Sequence, residues 1–264
     1  MASDPAFGSN DEFRSAAEEA ARIGGAILQD WVGRFSVREK SRANLVTEAD
    51  EASQAAIVNF LKDRFPSHRF LAEENLNQSS AEDEPRWIID PLDGTSNYVH
   101  GFPYYAVSIA LYRSNCLQVG VIFDPTRDEM FAAAAGQGAT LNGNPLVTSG
   151  IEEVSEAMAM ASLPIAAPPD DPAIRRFLLG LSSLQTVQRS GSAALNLAYV
   201  AAGRLDVFWS SSLHPWDVAA GALLVQEAGG AITDLTGDAI DIFRPSLLAA
   251  STEKLNQEVR SVLS

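Results

Sequence analysis

The sequence predicts an α+β protein made of two halves in which sheets are layered against helices. Three observations carry that prediction. Residues 104–135 contain three apolar-rich runs separated by the turn signals Ser114-Asn115 and Asp124-Pro125, the pattern of an antiparallel meander. Two helical stretches precede the meander. From residue 148 onward, short strands and helices alternate, as they do where a sheet is covered by helices. We therefore place an N-terminal α+β subdomain over 11–147 and a C-terminal α/β subdomain over 148–264.

Size and composition agree. A chain of 264 residues with 46% hydrophobic and 20% charged residues can bury a full core. The formal net charge of −15 offers nothing to replace phosphate counterions, so it argues against nonspecific nucleic-acid binding. An acidic chain still accepts an anionic substrate where metal ions neutralise the site. The single cysteine, Cys116, excludes a disulfide framework and a four-cysteine zinc site, and it fits a reducing, cytoplasmic compartment. No run reaches the roughly 18 apolar residues of a membrane span. Residues 1–10 lack the basic-then-apolar pattern of a signal peptide and read as a frayed terminus.

Taken in order, residues 11–34 form a helix: Phe13, Ala17, Ala20, Gly24, Ile27 and Trp31 share one stripe, with Asn10 or Asp11 as the cap. The polar stretch 35–44, which carries Lys40 and Arg42, is a hairpin or loop. Leu45 to Asp50 opens a second helix that runs to about Phe65, with Ala56, Ile57, Phe60 and Leu61 on its apolar face. Thr47 and Asp50 make a capping box, a sufficient structural reason for Asp50. Residues 70–72 form a short strand leading into Glu73, and the acidic stretch 76–85 is a mobile loop. Trp87-Ile88-Ile89 reads as the end of a buried strand, which Pro91 stops because it lacks a donor and fixes φ. Gly94 permits a close backbone approach, and Thr95 or Ser96 caps a short helix.

Strands follow at 104–113, 117–123 and 129–135, then tight turns at Gly136-Gln137-Gly138 and Asn142-Gly143. In the second half, 157–162, 184–189, 205–209, 231–233 and 247–250 read as strands. Helices fall at 172–184, 193–202, 217–228 and 252–262. Pro172 opens the first of them and Gly229-Gly230 closes the third. The segment 164–171 is an irregular connector.

Four acids occupy comparable places: Glu73 and Asp90 after strands, Asp93 in the turn after Asp90, and Asp217 at a helix start. Each has an ordinary explanation as a turn or capping residue. Together they are an all-oxygen donor set suited to a hard cation such as Mg²⁺, and no His or Cys cluster competes for zinc. Carboxylates held close together repel unless a cation binds. Other apparatus is missing: there is no G-x-x-x-x-G-K-[ST] loop, no G-x-G-x-x-G after a strand and no G-x-S-x-G elbow. His68, His100 and His214 are scattered and read as supporting or surface residues. What remains is metal-assisted hydrolysis.

Asp90-Pro91-Leu92-Asp93-Gly94-Thr95-Ser96-Asn97 resembles the D-P-[IL]-D-G-T-x-N signature of the inositol monophosphatase family. Trp216-Asp217-Val218-Ala219-Ala220-Gly221 with Glu227-Ala228-Gly229-Gly230 resembles its second signature. The segment from Leu45 to Asp50 and the pair Glu73-Glu74 match two further family segments, in order. The resemblance implies a Mg²⁺-dependent, Li⁺-sensitive phosphomonoesterase with a layered αβαβα fold shared with fructose-1,6-bisphosphatase, and a homodimer. It implies two or three metal ions held by Glu73, Asp90, the Leu92 carbonyl, Asp93 and Asp217. Asp50 and Thr95, with Glu73, would orient and deprotonate the attacking water. The N–H groups of Gly94, Thr95 and Ser96 would hold the phosphate. Asp93 and the helix start at Gly191, Ser192 and Ala193 would hold the alcohol. The implied substrate is a small phosphorylated polyol or sugar. One departure matters: inositol-specific members carry Glu seven residues before the second-signature Asp, and here that position is Ser210, which is shorter and neutral. Histidinol phosphate, fructose-1,6-bisphosphate or a nucleotide 3′-phosphate are then alternative substrates. A regulatory binding protein on the same fold is the alternative from another class.

Overall fold

The structure, a computed structural model, describes residues 8–41, 44–74, 76–77, 84–164 and 167–264. The expectations for residues 1–7, Arg42 and the loop over 78–83 lie outside the described residues.

Helix α1 (Asn10–Trp31) buries Phe13, Ala16, Ala17, Ala20, Ala21 and Leu28 on one face. Its cap is Ser9, whose Oγ accepts the Glu12 N–H at 3.2 Å, one residue before the expected Asn10. Strands β1 (Val37–Ser41) and β2 (Asn44–Thr47) form an antiparallel hairpin, so Leu45 and Val46 are in a strand and not in the helix expected there. Helix α2 (Glu48–Arg64) starts on the Thr47–Asp50 capping box. Its buried face carries Asp50, Ser53 and Gln54 beside Ile57 and Leu61, and is more polar than the apolar spacing suggests.

Strand β3 (Arg69–Ala72) is flanked by the antiparallel β4 (Leu76–Asn77) and the parallel β5 (Arg86–Asp93). A short helix, α3 (Thr95–Val99), follows, then β6 (Ala106–Arg113), β7 (Cys116–Asp124), β8 (Glu129–Ala134), β9 (Ala139–Leu141) and β10 (Asn144–Pro145). These strands make an eight-stranded sheet in the order β10-β9-β8-β7-β6-β5-β3-β4, antiparallel except at β3/β5. Pro91 does not stop β5. Asp90 pairs with Ser108 and Asp93 with Ala106, so β5 takes three steps where β6 takes two. Pro91 and Leu92 lie in that bulge, where a strand tolerates a missing donor.

After a 3-10 turn at Val154–Glu156 come β11 (Met158–Ala161), α4 (Pro172–Ser183), β12 (Thr186–Gln188), α5 (Ala193–Ala201), β13 (Val207–Ser210), α6 (Pro215–Glu227), β14 (Ala231–Thr233), β15 (Leu247–Ala250) and α7 (Glu253–Leu263). The second sheet runs β12-β11-β13-β15-β14, with β11 parallel to both its neighbours.

Five layers result, in the αβαβα order. α1 and α2 cover one face of the first sheet, α5 and α6 lie between the sheets, and α4 and α7 cover the second. Both faces of the first sheet are therefore buried, and its strands read as continuous apolar runs. On β5, Trp87 and Ile89 join Phe13, Ile57 and Leu61 in the outer core, while Ile88 joins Leu195, Leu197 and Phe208 in the middle one. The middle layer sits close. A Cβ on Gly120 of β7 would lie 2.5 Å from the Ala220 carbonyl of α6, so only glycine admits α6 at this separation. That approach fixes where the start of α6, with Asp217, meets β5 and β6. No helix among the described residues is long and apolar enough to cross a membrane.

Candidate active site

Because β3 and β5 are parallel, both end on the same edge of the sheet, and the acids that follow them emerge together. Glu73 follows β3 directly and its N–H donates to the Ile89 carbonyl at 3.2 Å. Asp90 and Asp93 flank the bulge of β5. Asp217 arrives from the opposite side as the third residue of α6. It is not the cap, as expected, because Pro215 takes the first helical position; its Oδ2 accepts the His214 N–H at 2.7 Å. Asp90, Asp93 and Asp217 each place a carboxylate oxygen within 4.8 Å of the others.

These acids are held in an unfavourable state as an anionic cluster. Burial, then the charges of Glu73, Asp93 and Asp217, push the Asp90 carboxyl well above the usual range. Burial and Asp93 do the same to Asp217. Burial lifts Asp93 to about 6, against the pull of its hydrogen bonds from Ser192 and Ala194. A divalent cation removes the repulsion, and the donors are hard carboxylate oxygens, so the residues fit a metal site of the Mg²⁺ type. The Leu92 side chain is in the outer core, and its carbonyl accepts from Thr95 Oγ1 at 3.2 Å.

Asp50 stands beside this cluster. Its Oδ2 is occupied by the Thr47 N–H at 2.9 Å and Thr47 Oγ1 at 2.6 Å. Its Oδ1 faces Thr95 Oγ1 at 3.4 Å. Burial lifts its carboxyl to about 6 in spite of the Thr47 hydrogen bonds. Capping and a role at the site coexist in the two oxygens of one side chain. Gly94 caps α3 at φ +98°, and Thr95 and Ser96 begin it, with Ser96 exposed toward the cleft.

The start of α5 closes the other side. Ser192 caps the helix and its Oγ donates to Asp93 Oδ2, as does the Ala194 N–H at 2.7 Å. Gly191 and Ala193 line a cleft of about 480 Å³, together with Asp93, Ser96 and Asp217. Ser210 is not among the lining residues. It is 1% exposed at the end of β13, where its Oγ accepts the Ser212 N–H at 3.4 Å. The lining at that corner is Ser212 and Leu213.

Sequence reasoning missed part of the wall: Ser162, Leu163 and Pro164 after β11, Arg189 after β12, and Ser212 and Leu213 after β13. Each follows the end of a strand, and β12 and β13 both run parallel to β11, so the three segments leave the sheet on one edge. It also missed Asn97, whose Nδ2 donates to the Tyr104 carbonyl at 2.7 Å and the Ser190 carbonyl at 2.9 Å, tying the turn before α5 to α3.

Residues 9–264 match the sequence model of the Inositol monophosphatase family. The chain is similar to Inositol monophosphatase 3 of Solanum lycopersicum, 40% identical over 89% of this chain and 90% of the relative. It is similar to Nus factor SuhB of Pseudomonas aeruginosa, 41% identical over 90% of both chains. Its fold is similar to the crystal structure of extragenic suppressor protein suhB from Bartonella henselae, with a TM-score of 0.90 at 36% identity over 96% of this chain and 98% of that one.

Proposed function

The chain belongs to the inositol monophosphatase family and is a phosphoric monoester hydrolase, and from that premise we propose that it hydrolyses a small phosphorylated polyol or sugar, such as inositol-1-phosphate. The observation that carries this reading is the meeting of Asp90, Asp93 and Asp217 within 4.8 Å beside the Asp50–Thr95 pair.

Glu73, Asp90, Asp93, Asp217 and the Leu92 carbonyl would hold two or three Mg²⁺ ions, which when bound would supply charge neutralisation for the phosphate and acidify a water. The chain's own groups do the rest. Thr95 Oγ1 lies between Asp50 Oδ1 and the Leu92 carbonyl, so its hydroxyl proton has an acceptor and a lone pair is left to orient a water. Asp50, lifted to about 6, takes that water's proton near neutral pH. The N–H groups of Gly94, Thr95 and Ser96 face the phosphate oxygens. Ser192 and Ala194 hold Asp93 Oδ2, leaving its other oxygen for the site, and Gly191 and Ala193 form the wall the alcohol meets. With Ser210 buried, the hydroxyl-reading corner is neutral, which keeps histidinol phosphate, fructose-1,6-bisphosphate and nucleotide 3′-phosphates as alternative substrates.

A second reading, a regulatory binding protein on the same fold, is favoured by the similarity to Nus factor SuhB of Pseudomonas aeruginosa. We further propose a cytoplasmic homodimer. The test is phosphate release from a panel of inositol, sugar, histidinol and nucleotide monophosphates with Mg²⁺, with and without Li⁺. Release from at least one, inhibited by Li⁺ and lost in Asp217→Asn, is expected. No release from any, with a folded protein, would favour the regulatory reading.

A further inference from the structure

We propose that Arg189 is a specificity-determining residue that reads a second anionic group, a phosphate or a carboxylate, on the alcohol side of the substrate. The proposal rests on the phosphomonoesterase reading of the same cleft.

Arg189 follows β12 directly and leaves the sheet on the edge where the cleft forms. Among the described residues it is the only cationic one lining that cleft, whose lining also carries Asp93 and Asp217. Its backbone is anchored. The next residue, Ser190, gives its carbonyl to Asn97 Nδ2 at 2.9 Å and its hydroxyl to Asn196 Oδ1 at 2.7 Å. Asn97 begins two residues after Thr95, so the strap carrying Arg189 is held in register with the phosphate-facing turn. A charged group on a rigid strap discriminates better than one on a mobile loop.

The guanidinium itself has no ion pair or hydrogen bond among the described residues, in a chain whose net charge is −15. Arg204 and Arg127, by contrast, are paired: Arg204 holds Glu129 at 2.6 and 2.7 Å, and Arg127 holds Asp124 at 2.8 Å. One oxygen of each acid in the cleft is already engaged, since Asp93 Oδ2 takes Ser192 and Ala194, and Asp217 Oδ2 takes the His214 N–H. Arg189 is exposed, and the same cleft is lined by the apolar Leu163, Pro164 and Leu213 and by the hydroxylic Ser162 and Ser212. A neutral polyol meets this fork with hydroxyls alone. A phosphate or carboxylate meets it with two oxygens in one plane, the geometry a guanidinium binds best.

The test compares kcat/KM for fructose-1,6-bisphosphate and 2-phosphoglycolate with kcat/KM for glycerol-2-phosphate and inositol-1-phosphate, in the full chain and in Arg189→Gln and Arg189→Lys. The ratio of the doubly anionic to the neutral-alcohol substrates falls at least about tenfold in Arg189→Gln, and Lys recovers only part of it because it lacks the fork. The bisphosphate and phosphoglycolate arms separate a phosphate reader from a carboxylate reader. Titration calorimetry of fructose-1,6-bisphosphate into the Ca²⁺-loaded protein gives a second readout, with Kd at least about tenfold weaker in Arg189→Gln. If no substrate releases phosphate, the proposed function fails, and the calorimetric comparison still decides Arg189. A ratio and a Kd both within about twofold of the parent chain would overturn the proposal.

Discussion

Replacing Asp93 by Asn separates the stability of this chain from its chemistry. The Asp93 carboxyl titrates near 6 in the fold and near 3.8 when free. Between those values the folded chain keeps a proton that the unfolded chain releases, so stability falls as pH rises through that window and stays lower above it. One such displacement is worth at most about 3 kcal/mol, from about 1.4 kcal/mol per pKa unit. Asparagine removes the charge but not the packing. Both donors to Asp93, Ser192 Oγ and the Ala194 N–H, meet one oxygen, Oδ2, and an amide oxygen can take its place. Urea unfolding in EDTA at pH 7.5 is therefore expected to show Asp93→Asn more stable than the parent by up to about 3 kcal/mol, or up to about 6–12 °C in Tm. The gap closes by pH 4. Saturating Mg²⁺ reverses the order, because the parent gains a ligand that the variant holds poorly, and phosphate release drops by orders of magnitude. A variant that is no more stable than the parent in EDTA at pH 7.5, or that keeps the same advantage at pH 4, would refute this account of the cluster.

Three further outcomes are expected. Asp50→Asn lowers turnover by about 10²–10⁴-fold with the circular dichroism unchanged, and the parent's rate falls as pH drops below about 6 because the base is protonated there; a variant with parental rates removes Asp50 from the chemistry. Buried among Phe13, Phe65 and Trp87, and with the charge of Arg113 as a smaller contribution, His68 titrates near 4 in the fold. It therefore supports stability that is full above about 6.5 and lost as pH falls toward 4, worth at most about 3 kcal/mol; His68→Phe should flatten the urea midpoint across that range, and an unchanged slope would assign the loss elsewhere. Gly191→Ala, at φ +90° with a Cβ 3.0 Å from the Asn97 amide, should destabilise by about 1–3 kcal/mol and raise KM more than it lowers kcat; parental KM would mean the turn does not touch the substrate.

Much of the site was legible because it is local. The acids at 90 and 93 sit in one turn after a run of β-formers, and the Thr47–Asp50 capping box is a three-residue spacing. Where the reading erred, a longer-range effect decided. Pro91 ordinarily ends a strand, but β6 continues alongside and absorbs it in a bulge. Asp217 has the composition of a cap, but Pro215 fills the first position and moves it inward. Leu45 and Val46 carry helix-compatible residues, yet Val37 and Arg38 pair with Thr47 and Val46 across a hairpin. The cleft wall was illegible for a different reason. Ser162, Arg189 and Leu213 lie far apart in the chain and meet only because three strands run parallel; the signal was that each follows a strand end, which no single segment reveals. Ser210 shows the reverse: its place in the chain suggested contact with the substrate, and its burial at the end of β13 shows that position alone does not give exposure.

The bulge in β5 also determines parity. Side chains on a strand alternate faces, so residues three apart point to opposite sides. Trp87 and Ile89 belong to the outer face and Ile88 to the middle one, which puts Asp90 on the middle side and would send Asp93 outward into the core behind α1 and α2. The one extra residue at Pro91–Leu92 flips the count, and both carboxylates then meet Asp217. The two-residue spacer therefore acts as a counting device. Shortening it by one would set the two acids two residues apart on a regular strand, still on one face but without the bulge, whereas keeping both spacer residues and losing the bulge would point Asp93 away from Asp90.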